Sequence, residues 1–174
     1  MQSKNIVLRE VCLSDDEFIL ELINQPAWKK YISDHSIDTL DQTRDYIESR
    51  LIAQYRLHGY GLWVVESNDE KTPIGLCGLI KRDYLDYVDL GFGFIPRYWG
   101  KSFAYEASVM CLDYAFNVIK SDRVLAVTVP ENGNSINLLD RLGFKYKNEI
   151  SLAGKNEILS LYEKKSELNS MPNN

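Results

Sequence analysis

The chain is poor in the residues that hold metal ions or form disulfides. Its 174 residues include three cysteines and two histidines. Cys12, Cys77 and Cys111 are scattered, and no Cys-x-x-Cys pair occurs, which argues against a disulfide framework and against zinc. Each cysteine stands in an apolar run, so we predict that all three lie in the core. His35 and His58 have no ligand-spaced partner, and we predict no metal site.

An excess of positive charge and long apolar runs are also missing. The chain has 20 Lys and Arg against 25 Asp and Glu, a net charge of −5. Such a chain has no general electrostatic reason to bind nucleic acid or an anionic membrane. No apolar run approaches the roughly 18 residues that cross a bilayer. The N-terminal stretch MQSKNIVLREV lacks the apolar region of a signal peptide. We therefore expect a cytoplasmic protein.

The sequence contains no repeat, low-complexity block or linker, so we predict one domain over residues 1–165 and a disordered tail over residues 166–174. A chain of this length and ordinary composition can bury a sizeable core. Hydrophobic periodicity predicts the order β-α-α-β-β-β-α-β-α-β-β. This order indicates an α/β fold, with a mixed sheet of about seven strands flanked by about four helices.

Polar residues mark the boundaries of the first two predicted helices. Ser14 is followed three residues later by Glu17, which is the pattern of a capping box at a helix start. Thr39 and Gln42 repeat this pattern before the second helix. Pro26 predicts the end of the first helix, because proline cannot continue one.

The segment GFGFIPRYWGKSFAYEA, residues 91–107, carries the most specific pattern. Its Gly100-Lys101-Ser102 resembles the end of a loop that binds a nucleoside triphosphate. That loop needs a glycine five residues before the Gly-Lys pair, and this position is Ile95. The spacing therefore argues against a nucleoside triphosphatase.

The same turn can bind a different phosphate group. A long helix is predicted from about Gly100 to Ile119, and the first turn of a helix has unpaired N–H groups and a partial positive charge. Gly100 permits close backbone approach, while Arg97 and Lys101 add positive charge. A pyrophosphate lying across the helix start would meet the amides of Ser102, Phe103 and Ala104.

Two motifs resemble those of the GCN5-related N-acetyltransferase (GNAT) family. Residues 97–102, RYWGKS, are similar to the family's phosphate turn, Arg/Gln-x-x-Gly-x-Gly/Ala, with Ser102 as a departure. The YWGKSFAYEA form looks like the branch that acetylates the N-termini of ribosomal proteins. The second motif has Asn132 and Ser135, followed by Leu-Gly-Phe at residues 142–144. The resemblance spans nearly the whole chain and implies a GNAT-like fold with a twisted, mostly antiparallel sheet.

The resemblance implies that acetyl-coenzyme A is the cofactor and that the chain transfers acetyl groups to a primary amine. The acceptor would be a protein N-terminus or a small molecule, and transfer would be direct, in a ternary complex. The family's cofactor-binding positions correspond here to Phe94, Ile95, Arg97, Gly100, Lys101, Ser102, Phe103, Ala104 and Asn132.

The strand DLGFGFI is expected to offer its edge to the amide-rich pantetheine arm of the cofactor. Leu90, Phe92 and Phe94 fall on one face, opposite a nearly bare face with Gly91 and Gly93. The glycines indicate room for a ligand, or else tight helix packing or a bulge.

The resemblance also implies two catalytic candidates. Asp89, on the glycine face, is the candidate general base, and Asp86 and Glu106 are weaker ones. Asp89 could instead make an ordinary hydrogen bond at the end of its strand.

Ser135 matches the serine that the ribosomal-protein branch places near the thiol, so it is the candidate donor to the leaving thiolate. Many relatives use a tyrosine late in the short helix, but residues 138–141 contain none. Ser135 could also serve only the helix start, and Asn132 could act only as the cap of the same helix.

Two further interpretations stay open at this point. Trp28 and Tyr31 follow the first helix, in a segment that borders the acceptor site in the family, but they could simply cover the core. The chain could also be a non-catalytic module that binds acyl-coenzyme A as a sensor. The acceptor amine and the choice between monomer and homodimer are not predicted.

Overall fold

The strands and helices predicted from hydrophobic periodicity are present in the computed structural model, which describes residues 1–33, 36–151 and 157–166. The strands are β1 (Ile6–Arg9), β2 (Leu62–Ser67), β3 (Pro73–Ile80), β4 (Asp89–Phe94), β5 (Arg123–Thr128), β6 (Lys145–Ser151) and β7 (Ile158–Lys165). The helices are α1 (Asp16–Ile23), α2 (Pro26–Tyr31), α3 (Leu40–Tyr46), α4 (Ala53–His58), α5 (Phe103–Asn117) and α6 (Gly133–Arg141).

The seven strands form one sheet in the order β1-β2-β3-β4-β5-β7-β6. Neighbouring strands run antiparallel except β4 and β5, which are parallel. A parallel pair needs a crossover connection, and α5 provides it. The predicted mixed, mostly antiparallel sheet is therefore confirmed.

The second helical region is less regular than its sequence pattern indicates. The helices α3 and α4 run on without a break through a π-helical segment (Ile47–Ile52). The capping box predicted at its start is confirmed. The Gln42 N–H donates to Thr39 Oγ1 at 3.3 Å, and Gln42 Oε1 accepts from the Thr39 N–H at 3.2 Å.

Two predicted boundaries near the first helix are wrong. Pro26 does not end a helix but begins α2, because its fixed φ and missing N–H suit the first helical position. Ser14 is not the cap of α1, since a 3₁₀ turn (Leu13–Asp15) comes first and the Asp15 carboxylate accepts from the Cys12 N–H at 2.9 Å. With α2 added, the described ranges contain five helical bodies rather than four.

The hydrophobic core joins the sheet to α1 and α5. The helix α5 packs across β1, β3, β4 and β5, and its Ala107, Cys111 and Ala115 are fully buried. Cys111 lies against Cys77 of β3 with 3.6 Å between the sulfur atoms. The predicted core position is thus confirmed for these two cysteines and wrong for Cys12, which is exposed.

The C-terminal end of the described chain is tied to the sheet. The Ser166 N–H donates to the carbonyl of Asp122, the residue before β5, at 2.9 Å. The predicted domain boundary stays a prediction. Residues 167–174 of the predicted tail, and His35, lie outside the described residues. Within the described ranges, no helix is long and apolar enough to cross a membrane, and no three His, Cys, Asp or Glu side chains are grouped as a metal site would need.

Candidate active site

The strands β4 and β5 are paired only where they begin. In these two fully described strands the register pair is Asp89 with Leu125, and the Leu125 N–H donates to the Val88 carbonyl at 2.9 Å. Beyond this point the strands separate. A gap therefore opens between them towards their C-terminal ends.

The β4 edge of this gap carries unpaired backbone groups. The Ile95 N–H donates to the Ile74 carbonyl of β3 at 3.0 Å. Because polar backbone groups alternate along a strand, the even-numbered residues of β4 direct theirs towards the gap. The N–H groups of Phe92 and Phe94 therefore point into it, and the Phe94 carbonyl there accepts from Trp99 Nε1 at 2.8 Å. An amide-rich ligand can pair with this edge as a further strand would.

The turn before α5 has a left-handed backbone at two residues. Gly100 has φ 74° and Ser102 has φ 65°. Glycine adopts this conformation freely, whereas it costs about 1–2 kcal/mol for a residue with a Cβ. No side chain caps α5, and no described residue accepts from its first N–H groups, at Phe103 and Ala104. These groups and the positive helix end favour an anion at this place.

The first turns of α5 and α6 border a cavity of about 380 Å³, which we call the α5–α6 cavity. Asn132 caps α6 by accepting from the Ser135 N–H at 3.2 Å, and both residues line the cavity. The predicted cofactor-binding residues that line it are Phe94, Gly100, Ser102, Phe103, Ala104 and Asn132.

A second cavity, of about 550 Å³, extends from the gap towards α3, the end of β3 and the start of β7. We call it the α3–β3 cavity, and its lining includes Tyr46, Arg50, Arg82 and Glu157. The two cavities share Trp28, Tyr31, Ile32, Phe92, Val127, Thr128 and Ser135. Two molecules bound in the two cavities would meet at these junction residues.

Two aliphatic hydroxyl groups, those of Ser135 and Thr128, lie at the junction beside the phenol of Tyr31. The Ser135 N–H is used by Asn132, but its Oγ makes no hydrogen bond to a described residue, so the side chain itself does not cap the helix. Thr128, buried at the end of β5, is the second. Sequence reasoning missed Thr128 because it belongs to no motif.

Asp89 closes the narrow end of the gap and is 1% exposed. Its Oδ2 accepts from Arg82 Nε at 2.5 Å, and its Oδ1 accepts from the Val127 N–H at 3.2 Å, in place of the next ladder bond. Burial raises the pKa of Asp89, while Arg82 opposes the shift. Asp89 lines the α3–β3 cavity, whereas Asp86 and Glu106 line neither cavity. Its role as general base stays a prediction.

The glycine face of β4 is covered by neighbouring side chains. A Cβ on Gly91 would lie 2.7 Å from Ile80 Cδ1, and a Cβ on Gly93 would lie 2.5 Å from Trp28 Cζ3. Of the two interpretations offered by the sequence, the structure therefore shows tight packing beside both glycines. Gly93 in particular is needed for the close approach of Trp28.

The family model for the acetyltransferase (GNAT) domain matches residues 5–145, which is most of the chain. The chain belongs to the GNAT family. The family and the fold inferred from the two motifs are confirmed by this match. The resemblance to the branch that acetylates ribosomal proteins stays a prediction.

Relatives and solved structures agree with this GNAT assignment. The uncharacterized N-acetyltransferase p20 of Bacillus licheniformis is 30% identical over 149 residues, covering 83% of this chain and 82% of the relative. The ribosomal-protein-S5-alanine acetyltransferase of Vibrio fischeri has a TM-score of 0.77 at 20% identity, covering 96% of both chains. The spermidine N-acetyltransferase of Vibrio cholerae, in complex with CoA and spermine, has a TM-score of 0.76 at 20% identity, covering 94% of this chain and 96% of the other. At these identities the solved structures show the fold alone.

The GNAT cofactor is acetyl-coenzyme A, which supplies an acetyl group activated as a thioester. The chain's own groups fit it. The free N–H groups at the start of α5 suit its pyrophosphate, and the N–H groups of Phe92 and Phe94 suit the amides of its pantetheine arm. Arg141 of α6 lines the same cavity, with its guanidinium 4.9 Å from the centre of the Tyr105 ring. Sequence reasoning missed Arg141, because a cation at a helix C-terminus is expected on electrostatic grounds alone.

Three predicted cofactor-binding residues lie outside both cavities of this GNAT domain. Ile95 is buried in the core. Arg97 forms an ion pair with Glu21, with 2.6 Å between Nη1 and Oε1. The Lys101 ammonium lies 5.2 Å from the centre of the Tyr98 ring, at the surface. Their contribution to cofactor binding stays a prediction.

Proposed function

We propose that the chain transfers the acetyl group of acetyl-coenzyme A directly to a primary amine. The donor occupies the α5–α6 cavity, and the acceptor occupies the α3–β3 cavity. The observation that supports this most is the junction, where the two cavities share residues from α2, β4, β5 and α6. A thioester and an amine that meet there can react without a covalent protein intermediate.

Three residues are proposed to assist the reaction. The amine nitrogen attacks the thioester carbonyl as a neutral group, and Asp89 accepts the proton that it loses, directly or through water. The carbon–sulfur bond breaks and coenzyme A departs as a thiolate, to which the Ser135 hydroxyl donates a hydrogen bond. Arg82, paired with Asp89, holds its carboxylate in place and limits how far burial raises its pKa.

Initial-rate kinetics with a panel of amines test this proposal. Direct transfer in a ternary complex predicts intersecting lines when acetyl-coenzyme A and the amine are varied together. It also predicts no mass increase of the protein after incubation with acetyl-coenzyme A alone. Parallel lines and an acetylated protein would contradict direct transfer.

The panel also distinguishes turnover from binding alone. Acetyl-coenzyme A that binds in calorimetry but releases no thiol with any amine would indicate the non-catalytic module instead. The Ser102 departure and the absence of tyrosine from residues 138–141 are the features that favour this second candidate.

A further inference from the structure

The arginines of the chain fall into two groups. All eight lie in the described ranges, and six pair with carboxylates: Arg9, Arg44, Arg56, Arg82, Arg97 and Arg123. Arg50 and Arg141 have no carboxylate partner among the described residues, and each lines one of the two cavities. Because acidic residues outnumber basic ones by 25 to 20, a shortage of carboxylates does not explain the two exceptions.

Arg50 is held at the α3–β3 cavity by an unusual piece of helix. It belongs to the π-helical segment, which is anchored to the core by the buried Ile47 and Leu51. Such segments are rare and often occur at functional sites. Tyr46 lies four residues before Arg50 in the same continuous helical stretch, and burial raises the pKa of Tyr46 to about 12 while the positive charge of Arg50 opposes the shift. Both side chains line the cavity.

The other charges of the α3–β3 cavity do not neutralise Arg50. Asp89 is paired with Arg82, and the Lys81 ammonium donates to the Leu85 carbonyl at 2.9 Å. Among the described lining residues, Glu157 is then the carboxylate without an ion pair, against the two cations Arg50 and Lys81. A polyamine acceptor would bring several ammonium groups into a cavity where positive charge is already in excess.

We infer that the acceptor is an amine that also carries an anionic group, a carboxylate or a phosphate, and that Arg50 binds this group. The inference rests on the proposed function, because it places the amine of the acceptor at the junction. The planar guanidinium suits both kinds of anion, since it can donate two parallel hydrogen bonds. The acceptor class would thus differ from the spermine bound by the Vibrio cholerae relative.

Matched acceptors test the inference. We would compare kcat/KM for β-alanine with kcat/KM for its carboxamide, and kcat/KM for O-phosphoethanolamine with kcat/KM for ethanolamine. Each value would be divided by the fraction of the amine that is neutral at the assay pH. Spermidine would be tested as the polyamine acceptor. Wild type is expected to prefer at least one acid over its neutral partner by roughly tenfold or more, as a charge-assisted contact requires. The two pairs show whether a carboxylate or a phosphate is favoured.

Two variants of the same helical region assign the preference to Arg50. Arg50→Gln is expected to reduce kcat/KM for the preferred acid to the value for its neutral partner. Arg56→Gln should keep the preference, because Arg56 is paired with Glu48 at 2.7 Å and lines neither cavity. A preference for spermidine, equal use of acids and neutral amines, or an acid preference that survives Arg50→Gln would overturn the inference.

Binding separates this inference from the proposed function. The same acids and neutral partners would be titrated into the complex of the protein with coenzyme A, with and without Arg50→Gln. Absence of turnover with every amine would reject the proposed function. Even then, tighter binding of an acid than of its neutral partner, lost in Arg50→Gln, would support the inferred acceptor class. Equal or tighter binding of the neutral partners would reject that class.

Discussion

The two cavities that meet between β4 and β5 differ in the groups that they present to a ligand. The α5–α6 cavity presents backbone groups: the N–H groups at the start of α5, the edge of β4 and the capped start of α6. The α3–β3 cavity presents side chains, including Arg50, Arg82, Asp89 and Glu157, from four separate parts of the chain. The α5–α6 cavity is suited to a cofactor that stays the same, whereas substitution of side chains in the α3–β3 cavity can change which acceptor it binds.

This difference explains why the first cavity is readable in the sequence and the second is not. A backbone site needs a turn of defined shape, and a turn is specified by a few adjacent residues such as Gly100. A side-chain site needs residues that are distant in sequence, and no local spacing relates them. Substitutions in the two cavities should therefore act differently, on cofactor affinity in one and on rate or acceptor choice in the other.

The largest effect is expected from Gly100→Val. At φ 74° a β-branched residue is strained, and straightening the turn would move the N–H groups at the start of α5. We expect acetyl-coenzyme A binding to be lost in calorimetry, while the protein remains folded by circular dichroism.

Gly59→Val is the matched control for the turn. Gly59 has φ 76°, and a Cβ added there would meet open space, as it would at Gly100, but Gly59 ends α4 and lines neither cavity. The variant should suffer a similar loss of stability and keep its cofactor affinity. Equal affinity of both variants for acetyl-coenzyme A would show that the turn before α5 does not hold the cofactor.

Asp89→Asn tests the side-chain cavity. If Asp89 is the base, kcat/KM should fall by roughly 10²-fold or more, the contribution of a positioned base. In the wild type, Asp89 must be ionised, so kcat/KM rises with pH through its pKa, which burial moves above the usual aspartate range. This limb should stay in place when the acceptor amine is changed, and it should disappear in Asp89→Asn.

Arg82→Gln separates the base from a structural ion pair. Arg82 lowers the pKa of Asp89, so its loss should move the limb to higher pH while activity remains at pH values above it. If both variants instead lose activity in proportion to a fall in Tm, the Asp89–Arg82 pair only holds β4 against β5. The role of base would then belong to water or to another carboxylate.

Ser135 lies at the boundary between the cavities, and Ser135→Ala should reduce the rate less than Asp89→Asn does. We expect kcat to fall about tenfold, the worth of one hydrogen bond to a charged atom, with cofactor affinity nearly unchanged. Thr128→Val, which removes the other aliphatic hydroxyl at the junction, is the comparison. Weaker cofactor binding with kcat intact would assign Ser135 to the backbone-built cavity instead.

The smallest effect concerns the departure from the family turn. Ser102 has a left-handed backbone at φ 65°, so Ser102→Gly should remove about 1 kcal/mol of strain. For a chain of this size, Tm should rise by about 2–4 °C. Ser102→Ala keeps the strain and should show no gain. A lower Tm for the glycine variant would mean that the serine side chain stabilises the turn.

The sequence by itself determined the features that depend on neighbouring residues. The seven strands follow from periodicity, the start of α3 from Thr39 and Gln42, and the turn before α5 from Gly100 in its motif. The cap of α6 likewise comes from Asn132 and Ser135, three residues apart. At the two caps and the turn, the interacting groups lie within one turn of the chain, so their spacing alone specifies the contact. The strands are specified instead by the alternation of apolar residues.

Tertiary structure alone decided the features that join distant segments. The ring of Pro26 permits either a helix end or a helix start, and packing of Trp28 against Gly93 accompanies the start. Arg50 stands out as a candidate anion-binding residue only because the fold pairs most other arginines with carboxylates. The fold places Asp89 where β4 and β5 separate, and it buries the carboxylate against Arg82. No local spacing in the sequence specifies this burial.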